Sequence, residues 1–363
     1  MATRAQAGSS STKTKKLVHR SRPVRWQQTR HIVQISFLAL NGWIALQFFV
    51  WVRYFEQGGQ GLYLPRPAGV EGWLPIAGLM NSKYLLLTGH VPSIHPAAMY
   101  LFLAFVLMSL LFKKAFCSWL CPVGTFSEFL WKLGRRILKR NLRIPRWADL
   151  PLRGLKYLLL AFFVFVIGAM SADAIQDFMQ TPYGLVADVK MLNFFRDIGL
   201  TAAIVIGLLV LGSILVQNFW CRYLCPYGAM MGLVSLLSPV KIRRDADACI
   251  SCGKCASACP AALPVDRLVH IRSVECTACM ECVAVCQVQD ALQFALPPRR
   301  SPGSAQRWSR RAVGRLVLAG ALAYIFLGMV LLARATDHWR TIMPREVYMR
   351  LVPNANQLTH PGM

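Results

Sequence analysis

The chain has 363 residues, 55% of them hydrophobic and only 16% charged, against roughly 25% charged in soluble domains. With a mean hydropathy of +0.41 this excludes soluble, collagen-like, disordered and small secreted classes and indicates an integral membrane protein. The 41 Lys and Arg against 16 Asp and Glu leave a net charge of +25; the basic residues sit beside apolar runs, the pattern of membrane topology, so no nucleic-acid partner is expected.

In chain order, residues 1–31 are basic, rich in Ser and Thr and free of acid up to Arg30. The apolar run that follows lacks a small-residue cleavage site, so it reads as a retained anchor without a processed signal. Five apolar runs are predicted to cross the membrane, at 32–52, 96–112, 157–172, 198–216 and 316–333. Between the first two lies a loop with His90 and His95, which can contact a quinone or ligate haem but more simply serve structure.

After the second run comes Phe116-Cys117-Ser118-Trp119-Leu120-Cys121-Pro122-Val123-Gly124, and after the fourth Trp220-Cys221-Arg222-Tyr223-Leu224-Cys225-Pro226-Tyr227-Gly228. Runs one–two and three–four therefore read as tandem copies of one unit. If a helix continues through each motif, its two cysteines at i and i+4 share a side, and proline then ends or bends it. Together Cys117, Cys121, Cys221 and Cys225 suit a third iron–sulfur cluster, a soft metal such as Cu(I), or redox dithiols; small buried cysteines are the plain alternative. Between the copies, residues 132–156 hold nine basic side chains beside Trp131 and Trp147, and Asp173 and Asp177 follow the third run as candidates for proton transfer.

Residues 249–286 carry the strongest signal. Cys249, Cys252, Cys255 and Cys259 are followed by a second run of the same spacing, Cys276, Cys279, Cys282 and Cys286, with Pro260 after the first and Gln287 after the second. This is the run of two-cluster ferredoxins, in which the fourth cysteine ligates the other run's cluster. One [4Fe–4S] cluster is thus expected on Cys249, Cys252, Cys255 and Cys286, the other on Cys276, Cys279, Cys282 and Cys259. Four-thiolate zinc is the competing chemistry, and eight cysteines in two matching runs argue against it. No phosphate-binding glycine loop, hydrolase triad or haem-attachment motif is present.

Basic residues fix the expected orientation: 32 of the 41 fall in segments 1–31, 113–156 and 217–315. These read as cytoplasmic, and 53–95, 173–197 and the tail 334–363 as periplasmic. The domains are then a basic N-terminus (1–31), a four-helix membrane domain (32–240), a ferredoxin-like domain (241–298), a basic linker (299–315), a fifth transmembrane helix (316–333) and a periplasmic tail (334–363). The fold class is an α-helical integral membrane protein with a cytoplasmic α+β ferredoxin-like insert.

The two C-x-x-x-C-P motifs at helix ends, followed by paired ferredoxin runs, resemble membrane polyferredoxins of the NapH, NosR and CcoG type over about residues 30–300, the core being most similar to NapH. The resemblance implies a multi-pass protein of the bacterial inner membrane. Its electrons would pass between the quinone pool or a cytoplasmic donor and a respiratory or periplasmic reductase. A copper reductase or metalloenzyme assembly factor using the four motif cysteines is the alternative, and a scaffold of a respiratory complex a third. No large domain precedes the first run as in NosR-like proteins and no immunoglobulin-like domain follows the last as in CcoG-like ones, while the fifth run and tail are additions to the NapH pattern.

Overall fold

A computed structural model describes residues 25–142, 144–296 and 312–360. The expected basic N-terminus, except its last residues, and most of the expected linker 299–315 lie outside the described residues, as do Arg143 and the side chain of Arg146.

The longest helix, α1 (Trp26–Glu56), has 31 residues and so spans about 46 Å. It is followed by α2 (Pro75–Thr88), α3 (Pro96–Phe112), α4 (Ala115–Trp119), α5 (Pro122–Leu138), α6 (Arg146–Ala169), α7 (Ala172–Gln180), α8 (Pro182–Leu185), α9 (Ala187–Arg196), α10 (Leu200–Leu215), α11 (Phe219–Tyr223) and α12 (Pro226–Val234). A small domain then carries β1 (Lys241–Arg244), α13 (Lys254–Ser257), α14 (Glu281–Ala284) and β2 (Leu292–Ala295), before α15 (Arg315–Ala335) and α16 (Arg345–Leu351).

Three helices, α1, α6 and α15, are long and apolar enough to cross a membrane, and α9 with α10 makes a fourth candidate bent by 81°. The second expected run is the 17-residue α3, packed centrally against α2, α12 and α15 with most of its side chains buried. The fourth is the 16-residue α10. On α6 and α10 large apolar residues such as Leu158, Phe165, Leu200 and Leu208 are exposed, as a lipid-facing surface requires. The third run starts earlier than its apolar stretch, because Arg153 and Lys156 are paired with Asp149 and Glu275 on the helix instead of marking its solvated end.

The two strands pair antiparallel, Lys241 opposite Ala295 and Arg244 opposite Leu292, and bracket both cysteine runs. One hydrophobic core runs unbroken from Trp26, Phe105, Phe116 and Trp119 of the helical part into Ile242, Ile271, Met280 and Phe294 of the small domain. At the other end of α1 a second core joins Phe48, Trp51 and Phe55 to Val186, Val189, Leu351 and Val352. The small domain and this cap, which includes the tail, thus lie at opposite ends of one helix.

Candidate functional site

The two cysteine runs fold alike. The second and fourth residues after each first cysteine are left-handed: Ser251 (φ 54°) and Gly253 (φ 70°) in one run, Ala278 (φ 50°) and Met280 (φ 60°) in the other. Non-glycine residues adopt this conformation at a cost of about 1–2 kcal/mol each, and here it curls each loop so that its thiols face inward. Cys255 and Cys282 then sit on the single helical turns α13 and α14. Across the domain Cys286 interacts electrostatically with Cys249 and Cys252, and Cys255 with Cys286. Cys259 neighbours Cys276, and Cys282 neighbours Cys279, Cys259 and Cys276.

The runs differ in surroundings. Cys252 is exposed, whereas Cys282 is buried. Burial pushes the Cys279 thiol up to about 12, with Arg30 acting against it. The second run is also gripped by the helical part. Trp119 Nε1 donates to Ala278 O at 3.0 Å, Ser118 Oγ to Thr277 O at 2.5 Å and Gln27 Nε2 to Cys279 O at 3.0 Å. Lys113 Nζ donates to Ser273 O at 3.1 Å, and Lys156 Nζ pairs with both Glu275 oxygens at 2.6 and 2.7 Å.

Beside this loop the two C-x-x-x-C-P motifs meet. The helix does not continue through either. Cys117 lies on α4 and Cys121 N-caps α5; Cys221 lies on α11 and Cys225 N-caps α12. The two copies share their hydrogen bonding: Leu120 and Cys121 N–H both donate to Phe116 O, and Leu224 and Cys225 N–H both donate to Trp220 O. Pro122 and Pro226 occupy the first helical position, where a missing N–H costs nothing. Gly124 is needed where it stands, since a Cβ there would lie 2.1 Å from Cys117 O.

All four thiols line one cavity of about 550 Å³, with Lys114, Phe105, Phe116 and Tyr227 among its walls, that reaches toward Asn41, Arg66 and Trp73 at the cap. Burial raises the thiols, Cys117 to about 11 and Cys121 to about 12. Metal binding reverses this, because it takes the thiolate form and releases the proton. Among the described residues no three His, Cys, Asp or Glu side chains are gathered tightly enough for a single metal ion. The all-thiol donor set and the matched loop curls fit [4Fe–4S] groups.

The weaker sequence candidates divide. His95 is fully buried with Nε2 2.9 Å from Gly184 O and Nδ1 3.3 Å from Glu71 Oε1. Nδ1 also lies 3.5 Å from Arg66 Nη2, so both ring nitrogens are engaged within the protein and the ring is not available to haem or quinone. His90 is exposed, its Nδ1 2.8 Å from Thr88 O, and Asp173 and Asp177 are exposed on α7. In the basic stretch Lys132 pairs with Glu128, Arg153 with Asp149 and Lys156 with Glu275, while Trp147 is exposed.

Arg66 completes the His95 network, binding Glu71 at 2.8 Å and Asp188 at 2.7 Å. Burial opposes the charge on Glu71, but Arg66 and His95 outweigh it and hold its carboxyl at about 2; burial likewise opposes the charge on His95, yet Glu71 raises it. Glu71's contribution to stability is therefore present above its ordinary 4.5 and lost as pH falls toward about 2. That of His95 is complete below 6.5 and lost as pH rises through its raised value. Thermal melting of the purified protein against pH is expected to fall off on both sides, and Glu71→Gln is expected to lower stability by about 3 kcal/mol and flatten both limbs.

Sequence reasoning missed Lys114, Glu128, Glu275, Glu71 and Asp188, because a buried charge looks in sequence like a solvated one. Lys114 alone carried a signal: it stands three residues before Cys117, where the second copy has Asn218.

The 4Fe-4S binding domain family matches residues 94–141 and again 198–245, one match on each C-x-x-x-C-P copy, and the 4Fe-4S dicluster domain family matches residues 241–287. The chain is 50% identical over 331 residues to the putative electron transport protein YccM of Escherichia coli, covering 91% of each chain. It is 26% identical over 290 residues to the ferredoxin-type protein NapH of the same organism, covering 77% of this chain and 92% of NapH. To the regulatory protein NosR of Pseudomonas aeruginosa it is 28% identical over 191 residues, 49% of this chain and 24% of NosR. No solved structure matches it.

Proposed function

Since the chain belongs to the NapH-like family of 4Fe–4S membrane ferredoxins, we propose that it carries single electrons between three clusters. The first is held by Cys249, Cys252, Cys255 and Cys286 near the solvent-exposed Cys252. The second is held by Cys276, Cys279, Cys282 and Cys259 against the helical part. The third is held by Cys117, Cys121, Cys221 and Cys225 at the junction. The electrostatic neighbours of Cys286 and Cys259 support the crossed ligand sets.

The observation that carries the reading is the convergence of both motif copies on one cavity beside the second run. The four-thiol donor set is that of a [4Fe–4S] cluster. When bound, each cluster supplies one-electron redox chemistry; the protein's part is to hold the thiols, exclude water and fix the distances. The cavity, with Leu40, Trp73 and Leu327 of its wall also exposed on the apolar surface, is of a size and polarity suited to a quinone.

The basic bias supports a bacterial inner-membrane protein with α3 and the bent α9–α10 pair as its second and fourth crossings, the ferredoxin domain in the cytoplasm and the cap in the periplasm. There a respiratory reductase or oxidase would be the partner, the quinone pool or a cytoplasmic carrier lying at the other end of the path.

Metal analysis and EPR of the reduced protein test this. Replacing Cys117, Cys121, Cys221 and Cys225 by serine is expected to remove about a third of the iron and one EPR signal while the ferredoxin signals persist. Equal iron in both proteins would overturn the third cluster, and copper lost in the serine variant would establish copper chemistry instead.

A further inference from the structure

We propose that Lys114 is a fixed counter-charge for the junction thiols, a positioning residue that sets the reduction potential of the group they hold. The inference rests on the reading of those thiols as a cluster site. Lys114 is 2% exposed and lines the cavity with all four thiols. Its side chain crosses Gly228: a Cβ placed there would lie 3.6 Å from Lys114 Cε and 3.5 Å from Cys225 Sγ.

Among the described residues nothing accepts a hydrogen bond from its ammonium, in contrast to its neighbours. Lys113 donates to Ser235 O and Ser273 O, and Lys156 is paired with Glu275. A largely buried lysine in the wall of a cavity is costly to keep charged, and folding keeps such a group where a negative charge meets it. Lys156 also acts on Cys117 and Cys225 but is ion-paired with Glu275, whereas among the described residues Lys114 has no carboxylate within ion-pair distance. The tandem copy has the neutral Asn218 at the matching position, so the two motifs share one ammonium.

Four thiolates around a cube make an anion, and accepting an electron makes it more negative. One electron leaves the group on the second ferredoxin run, which is oxidised, and enters the group on the junction thiols, which is reduced; no proton moves. Lys114 favours the product of that step through charge alone, in a low-dielectric setting where such interactions are strong. Its loop also interacts with Cys276, so the charge stands between the two sites.

The test is an EPR-monitored redox titration of the full chain as wild type, Lys114→Met and Lys114→Arg. In Lys114→Met the junction signal is expected to titrate at lower potential. Its oxidised-to-reduced ratio at the wild-type midpoint should rise about tenfold, equal to about 59 mV for a one-electron couple. Lys114→Arg is expected to stay near wild type, as is the signal of the cluster at exposed Cys252. An unchanged midpoint in Lys114→Met overturns the proposal. If the methionine variant fails to load the junction, loading by Lys114→Arg supports the counter-charge, and failure of both overturns it in favour of packing. A wild-type protein whose signals match those of the four-serine variant would instead remove the cluster reading itself, a result visible before any Lys114 variant is made.

Discussion

On the proposed three-cluster reading, replacing Gly124 by alanine is expected to empty the junction thiols of iron while leaving the ferredoxin domain loaded. The added Cβ would meet Cys117 O at 2.1 Å, and that oxygen is backbone, unable to swing aside. Either α5 or α4 must move, and either motion separates Cys121 from Cys117. Overpacking of this severity costs about 3 kcal/mol. The second copy is not equivalent. A Cβ at Gly228 would meet Cys225 Sγ at 3.5 Å and Cys225 Cβ and Lys114 Cε at 3.6 Å, ordinary contacts, so on the same reading Gly228→Ala is expected to retain the junction iron. Gly154, with nothing within 4 Å and an interior place on α6, is the control; alanine there should stabilise the helix by about 0.5–1 kcal/mol. Iron per chain and thermal melting of the three variants check this, and a Gly124→Ala protein with wild-type iron would show that the motif glycine is dispensable.

The iron–sulfur character of the ferredoxin runs was legible because ligand spacing is a local constraint: a loop that presents three thiols to one cube must be short, and the sequence displays that shortness. The ends of α3 were legible for a similar reason, Pro96 standing at its first turn and Lys113 ending the apolar stretch. What tertiary structure decides was hidden. The helix break between Cys117 and Cys121 depends on α5 restarting at Pro122 against the α4 carbonyls, a packing event that i, i+4 spacing does not encode.

The charges were the least legible part. Counted as topology signals, Arg30, Lys113, Lys114 and Lys156 are interchangeable with any loop lysine or arginine. In the fold all four are buried, with exposures of 0–2%, and they tie the second ferredoxin run to the helices or face the junction thiols. A basic flank beside apolar runs and a docking surface can be the same residues. Their buried partners explain why these side chains are needed there. The acidic partners Glu128 and Glu275 are correspondingly scarce in a chain with only 16 acids.

That dual role makes Arg30→Met the strongest test of docking. Arg30 Nη1 donates to Glu128 Oε2 at 2.6 Å and Nη2 to Glu128 Oε1 at 2.5 Å, with Gln27 Oε1 and Glu281 also in reach. Gln27, held by the same guanidinium, donates to Cys279 O and so orients the second cluster loop. Methionine leaves Glu128 buried with Lys132, His31 and Gln34 as its remaining partners, and removing one partner of such a pair costs about 3–5 kcal/mol. The small domain is expected to keep its iron but to loosen from the helices, with faster hydrogen exchange across residues 276–286 and slower electron transfer to the junction. Arg30→Met combined with Glu128→Leu removes both charges and is expected to be the milder change, because the stranded carboxylate is gone. A double variant whose cost equals the sum of the two single changes would mean that the pair is not coupled, and the clamp would then have to be sought in the hydrogen bonds of Trp119 and Ser118 alone.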